Sequence, residues 1–387
     1  MIESYAHRNG HYSEYLKNIY NAYKKIGHEV DVLTFTNIKT QNKIKMDTIK
    51  YKTVSEKDFH KINNHIIKSS SHKLEMMFEM LTVFLTYVKM SWIINTKKYR
   101  NVEINTVFLN PLSFLLLTLG LTKNTKIIIH FHMSPYNHGK HVHNIFFKKI
   151  VEISSRLVNK RNSVRYICHS KKQVEQFEQW LPKVFSGSMK YIPHGVAQSN
   201  KISPNLQVNE IPHFLHFGVN HHRKDFETIF KAFSNIKDPY RLTFAGIIYD
   251  HIPENDPRLL KLKYGIQNLE IINKFFTEKE KEEIFENSDA VILAFKKRAT
   301  AASGVMSDAC TYLLPIISSD TLVSVKNNEL GLTYKTENAE DLHEKIIDFI
   351  KLNPSQVQEI RVKIAQYTKA NSWEKMVASG VQLFDTM

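Results

Sequence analysis

The chain reads as parallel α/β, arranged as two successive Rossmann-like halves. Helical and extended signals alternate almost from end to end, and a second strand–helix series begins afresh at His213. At 387 residues the chain also exceeds one typical domain. An apolar fraction of 42% and a charged fraction of 24% suit globular domains.

Each element follows from its pattern. Tyr12 to Ile26 is an amphipathic helix that stops at Gly27, and His28 to Phe35 then alternates like a strand. Residues 36–73 are polar and Lys-rich and specify no element. Leu74 to Trp92 reads as a long core helix, and Thr125 to Ile129 as a buried strand running into His130-Phe131-His132. Val164 to Cys168 is a strand, Lys171 to Trp180 a helix, and Lys190 to Pro193 a short strand before His194-Gly195. Residues 197–210 are polar and aperiodic, as a linker would be. In the second series, Phe214 to Gly218, Arg241 to Gly246, Leu269 to Ile272 and Ala290 to Ala294 are strands. Phe226 to Phe233 is a helix, and so is Thr277 to Glu286, with Thr277 as its N-cap. Leu342 to Leu352, Val357 to Tyr367 and a last stretch opened by Ser372-Trp373 are helical.

The totals exclude several classes. Two cysteines, Cys168 and Cys310, make no disulfide framework. MIESYAHRNGHY has no apolar core of a signal peptide, so a cytoplasmic protein is expected. Val107 to Leu121 is too short for a membrane span and is interrupted by Pro111 and Gly120. Residues 1–197 carry 30 Lys and Arg against 13 Asp and Glu, a net +17; the remainder carries 23 against 25, a net −2. A basic half joined to a neutral half suggests that one half faces a polyanion, either an anionic membrane leaflet or a nucleic acid.

Ligands of open α/β sheets sit at the carboxyl ends of the strands, so the polar residues just after each strand are the candidates. These are His130, His132, Ser170 and His194 in the first half. In the second they are Gly218, Arg223, Lys224, Gly246 and the segment from Arg298 to Asp308. A turn of small residues from Thr300 through Ser303, Gly304 and Val305 opens a helix, and backbone amides at a helix start favour phosphate. Asp308, further into that helix, could accept the two hydroxyls of a ribose. Arg223, Lys224 and Arg298 could neutralise a diphosphate. His130, His132, His138, His141 and His143 have spacings that could ligate zinc. No cysteine lies nearby and the nearest carboxylate in sequence is Glu152, so no metal is expected. There is no G-x-S-x-G, Walker A or G-x-G-x-x-G motif.

Taken in order, these residues resemble the retaining glycosyltransferases of the GT-B fold, in the large family 4 group. Gly10-His11 and Gly27-His28-Glu29-Val30 resemble its N-terminal glycine loop and following strand. Ile129 to His132 is similar to the strand ending in an active-site histidine, and Ile192-Pro193-His194-Gly195-Val196 to the lead into the linker. Phe217-Gly218 through Lys224 resembles its phosphate loop, Arg298 to Asp320 its donor loop, and Ser372-Trp373-Glu374 its C-terminal helix. Four positions depart from the family. Thr300 and Asp308 stand where two glutamates eight apart are common, Asp225 follows Lys224 in place of glycine, and Val219 replaces a basic residue.

The resemblance implies two Rossmann-like domains facing a cleft. They would span residues 1–197 for the acceptor and 198–370 for the nucleotide sugar, with residues 371–387 forming a helix that crosses back to the first. It implies sugar transfer with retention from a nucleotide sugar, UDP- or GDP-linked, without cofactor or metal. The acceptor would be a glycan or a lipid-linked glycan of a cell-surface polysaccharide. His132, Lys224 and Arg298 would be catalytic. Gly10, His194, Gly218, Arg223, Gly246, Thr300, Ser303, Gly304, Val305 and Asp308 would bind the donor. The basic first half would rest on the inner face of the plasma membrane, with no nucleic acid as partner. Thr300 leaves a second expectation, a non-catalytic relative that partners another transferase.

Overall fold

The computed structural model describes residues 2–3, 11–34, 51–53, 91–105, 125–132, 145–161, 163–198, 209–297 and 303–387. They fall into two compact units, Met1–Pro193 with Trp373–Met387, and His194–Ser372.

The first unit runs β1 (Ile2–Glu3), α1 (His11–Lys25), β2 (Val32–Thr34), β3 (Tyr51–Thr53), β4 (Asn101–Asn105), β5 (Lys126–Phe131), α2 (Ile145–Arg161), β6 (Val164–Cys168), α3 (Lys171–Trp180), α4 (Pro182–Phe185) and β7 (Met189–Tyr191). Its seven strands are all parallel, in the order β3-β2-β1-β4-β5-β6-β7. Val102 and Ile104 of β4 join Ile127, Ile129 and Phe131 of β5 and Tyr166 and Cys168 of β6 in one apolar core, closed by Phe177, Trp180 and Phe185. Side chains alternate across a strand, so Glu103 and His130 lie on the opposite face. Ser170 caps α3 by accepting the Gln173 amide at 3.1 Å.

Among the described residues of the expected strand from His28 to Phe35, Val32–Thr34 pair in the sheet, while His28 and Glu29 are exposed in the connection after α1; Phe35 lies outside the described residues. β4 was not apparent in the sequence, since NVEIN is half polar. Most of the helix expected from Leu74 to Trp92, and the apolar run from Val107 to Leu121, lie outside the described residues; residues 91–96 are helical.

The second unit runs β8 (His213–Phe217), α5 (Phe226–Phe233), β9 (Arg241–Ala245), α6 (Pro257–Tyr264), β10 (Leu269–Ile272), α7 (Glu278–Glu286), β11 (Ala290–Leu293), α8 (Gly304–Thr311), β12 (Ile316–Ser319), α9 (Val323–Asn327), β13 (Gly331–Tyr334), α10 (Ala339–Ile350) and α11 (Pro354–Ala370). All six strands are parallel, in the order β10-β9-β8-β11-β12-β13. Both faces are covered, as parallel sheets require. Phe214, Phe244 and Ile292 point into one layer with α5 and α10. Leu215, Val291 and Leu293 point into the other with α8. Thr277 caps α7 through a reciprocal box with Glu280.

The last helix, α12 (Trp373–Asp385), belongs to the first unit. Its Trp373 ring packs edge-on against Tyr15 of α1 with centroids 5.2 Å apart, Glu374 pairs with Lys25 at 2.7 Å, and Lys126 Nζ donates to Phe384 O at 2.6 Å.

Candidate functional site

In the second unit the chain winds outward from β8 through β9 to β10, then returns to lay β11 on the other side of β8. The crevice above β8 and β11 is therefore the topological switch point, where open α/β sheets bind ligands. The loops leaving these two strands carry the sequence-predicted phosphate elements.

The β8 turn is shaped by two glycines. Gly218 has φ +96° and Gly246 φ +144°, values that side-chain-bearing residues rarely adopt. A Cβ on Gly246 would lie 2.4 Å from Gly218 O, so the ends of β8 and β9 approach as closely as they do only because Gly246 has no side chain. A Cβ on Gly218 would sit 3.4 Å from Lys224 Nζ and 3.5 Å from Val305 Cγ2. The glycine backbone thus lies close to an ammonium and to the first turn of α8, with a Cβ there in van der Waals contact with both.

Lys224 is buried at 9% exposure. Its Nζ donates to His216 Nε2 at 3.0 Å and to Phe217 O at 3.1 Å. Burial, helped by the charge of Arg223, brings the ammonium down to about 7. Asp225, in the position where glycine was expected, caps α5. Its carboxylate accepts the Thr228 amide at 3.4 Å and the Thr228 hydroxyl at 2.6 Å. The departure from the family pattern at 225 is thus a helix cap that holds the lysine's neighbour in place. Arg223 is half-buried, and its carbonyl accepts the Lys296 amide at 2.9 Å.

Across the crevice, Ser303 caps α8 by accepting the Met306 amide at 3.3 Å, which makes Gly304 and Val305 the opening residues of the helix. The first amides of an α-helix have no carbonyl partner within it and favour an anion. Asp308 lies on the next turn, and Lys281 of α7 reaches it at 3.4 Å. His194 Nδ1 lies 2.7 Å from Gly195 O and 3.3 Å from Ser307 Oγ, so His194 meets the same helix.

In the first unit, His132 follows β5. Its ring meets Tyr15 edge-on with centroids 4.5 Å apart and lies 5.1 Å from the His169 ring. Its carbonyl accepts from Gln173 Nε2 at 3.2 Å. Beneath it runs a buried polar line. Tyr23 donates to Glu103, Glu103 Oε1 contacts His130 Nε2 at 3.1 Å, and the Tyr15 hydroxyl lies between His130 Nδ1 at 3.4 Å and His169 Nε2 at 3.3 Å. His169 Nδ1 donates to Ile192 O at 2.9 Å. Burial pushes the Glu103 carboxyl up, but the charge of His130 and the hydrogen bonds from His130 and Tyr23 outweigh it and leave the group below its ordinary value. The carboxylate that meets His130 is thus Glu103 of the adjacent strand, distant from it in sequence. Among the described residues no group of three His, Cys, Asp or Glu side chains is placed to hold a metal; His138, His141 and His143 lie outside them.

The structure brings Lys224, Gly218, Gly246 and Val305 together, and His194 onto the helix that carries Asp308. Gly10, Arg298 and Thr300 lie outside the described residues. Sequence reading missed His216, Lys281 and Ser307, and the line through Tyr15, Glu103 and His169. HFLHF carried a signal for His216, since a histidine in an otherwise apolar buried strand needs a polar partner.

Residues 198–371 match the model of the family described as Glycosyl transferases group 1. Nearly the whole chain superposes on solved structures of low sequence identity. A glycosyltransferase from Rickettsia africae ESF-5 shares 17% identity at a TM-score of 0.72, covering 98% of this chain and 95% of that one. Sucrose-phosphate synthase (tll1590) from Thermosynechococcus elongatus shares 16% at 0.70, covering 97% and 93%. Anabaena Alr3699/HepE, solved with UDP and glucose, shares 12% at 0.69, covering 100% and 98%. No curated protein matches the chain by sequence. The fold is the two-Rossmann GT-B fold, and the match to the group 1 glycosyl transferases lies within the second unit.

Two stability measurements check these environments. The folded lysine binds its proton only below about 7, whereas the unfolded one holds it to 10.5. Unfolding free energy therefore rises with pH in that window, by up to about 1.4 kcal/mol per pH unit, and Lys224→Met removes that increment in pH-dependent denaturation. Glu103 shows the same sign of linkage in an acid window: its stabilisation is present above about 4.5 and lost as pH falls through its lowered folded value. Glu103→Gln should cost about 3 kcal/mol at pH 7 in urea unfolding, with a smaller acid-induced loss below pH 4.5 than wild type.

Proposed function

We propose that the protein is a retaining glycosyltransferase. It takes a sugar from a UDP- or GDP-linked donor and adds it to a glycan or lipid-linked acceptor in cell-surface polysaccharide synthesis. The observation that carries the reading is the buried Lys224 ammonium, held at a glycine turn beside the start of α8 at the switch point. A buried cation is costly unless an anion completes it. The neighbour solved with UDP and glucose supports a nucleoside diphosphate as that anion.

In this reading the bond from the sugar's anomeric carbon to the diphosphate breaks with its electron pair on the phosphate oxygen. The acceptor hydroxyl oxygen bonds to that carbon on the same face, and the hydroxyl proton passes to the departing diphosphate. Lys224, Arg298 and the amides at Ser303-Gly304 stabilise the charge that develops there. Asp308 accepts the ribose hydroxyls, with Lys281 orienting its carboxylate. His132, braced by Tyr15, contacts the transferred sugar or positions the acceptor. No metal or cofactor is required by these roles.

The acceptor side is read as lying on an anionic membrane. On α2, Ile145, Ile153 and Leu157 are exposed beside Lys149, Arg156 and Lys160, all at spacings that share one helix face. Aliphatic side chains flanked by bases on an exposed helix face fit a lipid surface carrying negative charge. Among the described residues no helix is long and apolar enough to cross a membrane.

A panel of UDP-, GDP- and ADP-sugars tested by calorimetry should reveal one binding donor. Lys224→Ala with Arg298→Ala should weaken it at least tenfold and slow transfer about a hundredfold or more. Binding without transfer to any glycan acceptor would favour the non-catalytic relative; no binding by folded protein would overturn the reading. The chain should also co-sediment with phosphatidylglycerol vesicles but not with phosphatidylcholine vesicles. Ile153→Asp with Leu157→Asp should reduce that binding several-fold.

A further inference from the structure

We propose that His216 is a positioning residue for Lys224: its ring holds the ammonium at the glycine turn and thereby sets the pH range over which a nucleoside diphosphate is bound. The proposal rests on the nucleotide-donor reading above and adds a residue and a proton to it.

The ring is fixed on every side. His216 is 2% exposed, stacked on Phe244 with centroids 4.9 Å apart and met edge-on by Phe226 at 4.6 Å. Its Nδ1 donates to Ile292 O at 2.9 Å, which leaves the Nε2 lone pair as the acceptor for Lys224. Burial and the charge of Lys224 hold the imidazole well below its ordinary range, so it stays a neutral acceptor at physiological pH.

Nε2 and Phe217 O occupy two of the three N–H directions of the ammonium. The Gly218 backbone passes close by, a Cβ there lying 3.4 Å from Nζ. Packing alone would be served by a phenylalanine at 216, as it is at 244. With phenylalanine the ammonium would keep one carbonyl acceptor and otherwise border the Phe226 ring, whose centroid lies 5.6 Å away.

Among the described residues, few titratable or charged groups surround Lys224. His216 lies on the strand beneath it. His221, His222, Arg223 and Asp225 belong to its own loop, and the Asp225 carboxylate is engaged by Thr228. His221 is depressed to about 4 by burial and by Arg223, and so stays neutral. His222 pairs with Glu254 at 2.5 Å. The first turn of α8 presents Ser303, Gly304 and Val305, none of which titrates near neutrality, and Arg298 lies outside the described residues. The proton that a diphosphate draws in therefore goes to Lys224, which is about half neutral near pH 7 before the anion arrives. Affinity weakens above that pH by at most tenfold per unit.

The experiment is calorimetric titration with UDP and with GDP from pH 6 to 9, in two buffers of different ionisation enthalpy. Wild type should take up as much as one proton on binding above pH 7. His216→Phe keeps the ring volume and loses the acceptor. It should bind about tenfold more weakly at pH 8, with the break in its affinity profile moved to lower pH. His216→Asn reaches only the Ile292 side and should behave like His216→Phe. His216→Gln reaches Lys224 and should restore affinity to within about threefold of wild type. Should the phenylalanine variant not fold, the Asn and Gln pair decides alone. Equal affinity and equal pH profiles for wild type, Asn and Gln overturn the proposal while leaving the donor reading intact. Absence of UDP and GDP binding by folded wild type overturns both.

Discussion

Everything proposed for this protein turns on one buried positive charge. Lys224 Nζ is taken out of water into a cage of aromatic rings and backbone, where its own acceptors are a neutral imidazole and a single carbonyl. Such a charge destabilises the free fold. The surrounding architecture exists in large part to keep it there. Asp225 caps α5 immediately after it, the pair of glycines lets two strand ends converge beside it, and Ser303 fixes the start of α8 across from it.

The first unit solves a different problem with similar means. Across β4, β5 and β6 one face of its sheet is apolar, while the face toward α1 and α12 carries Glu103, His130 and His169. Charged and polar groups at that depth persist only when each is engaged. Tyr15 is the hinge of that arrangement: its hydroxyl serves two histidines, its ring supports His132, and Trp373 packs on its edge. A single aromatic side chain thus transmits the placement of the last helix to the candidate site histidine.

Much of this was legible beforehand. Buried parallel strands such as β8, β9 and β11 announce themselves as short apolar runs, and Thr277, Ser303 and Gly27 mark helix ends by local chemistry alone. The switch-point candidates followed from strand ends without any coordinates. What escaped were features defined by neighbours distant in sequence. β4 looks half exposed because Glu103 faces a buried partner instead of solvent. Lys281 belongs to an acidic–basic helix that reads as surface, yet its side chain is only 9% exposed and reaches Asp308. His216 reads as one odd residue in an apolar strand until Lys224, eight residues later, folds back over it. Periodicity reports which face is inside; it does not report who waits there.

The membership of α12 has a consequence for how the chain comes into being. The second unit is one continuous segment, His194–Ser372, whereas the first is completed only by Trp373–Met387. A ribosome delivers the chain from its N-terminus at about 5–20 residues per second. The surface that Tyr15 of α1 and Lys126 of β5 offer to α12 therefore waits without it for roughly 10–40 s while the entire second unit is made. Over that interval the second unit can close by itself, and the first, though synthesised earlier, is the last to be finished. Loss of the final fifteen residues is thus a lesion of the N-terminal unit.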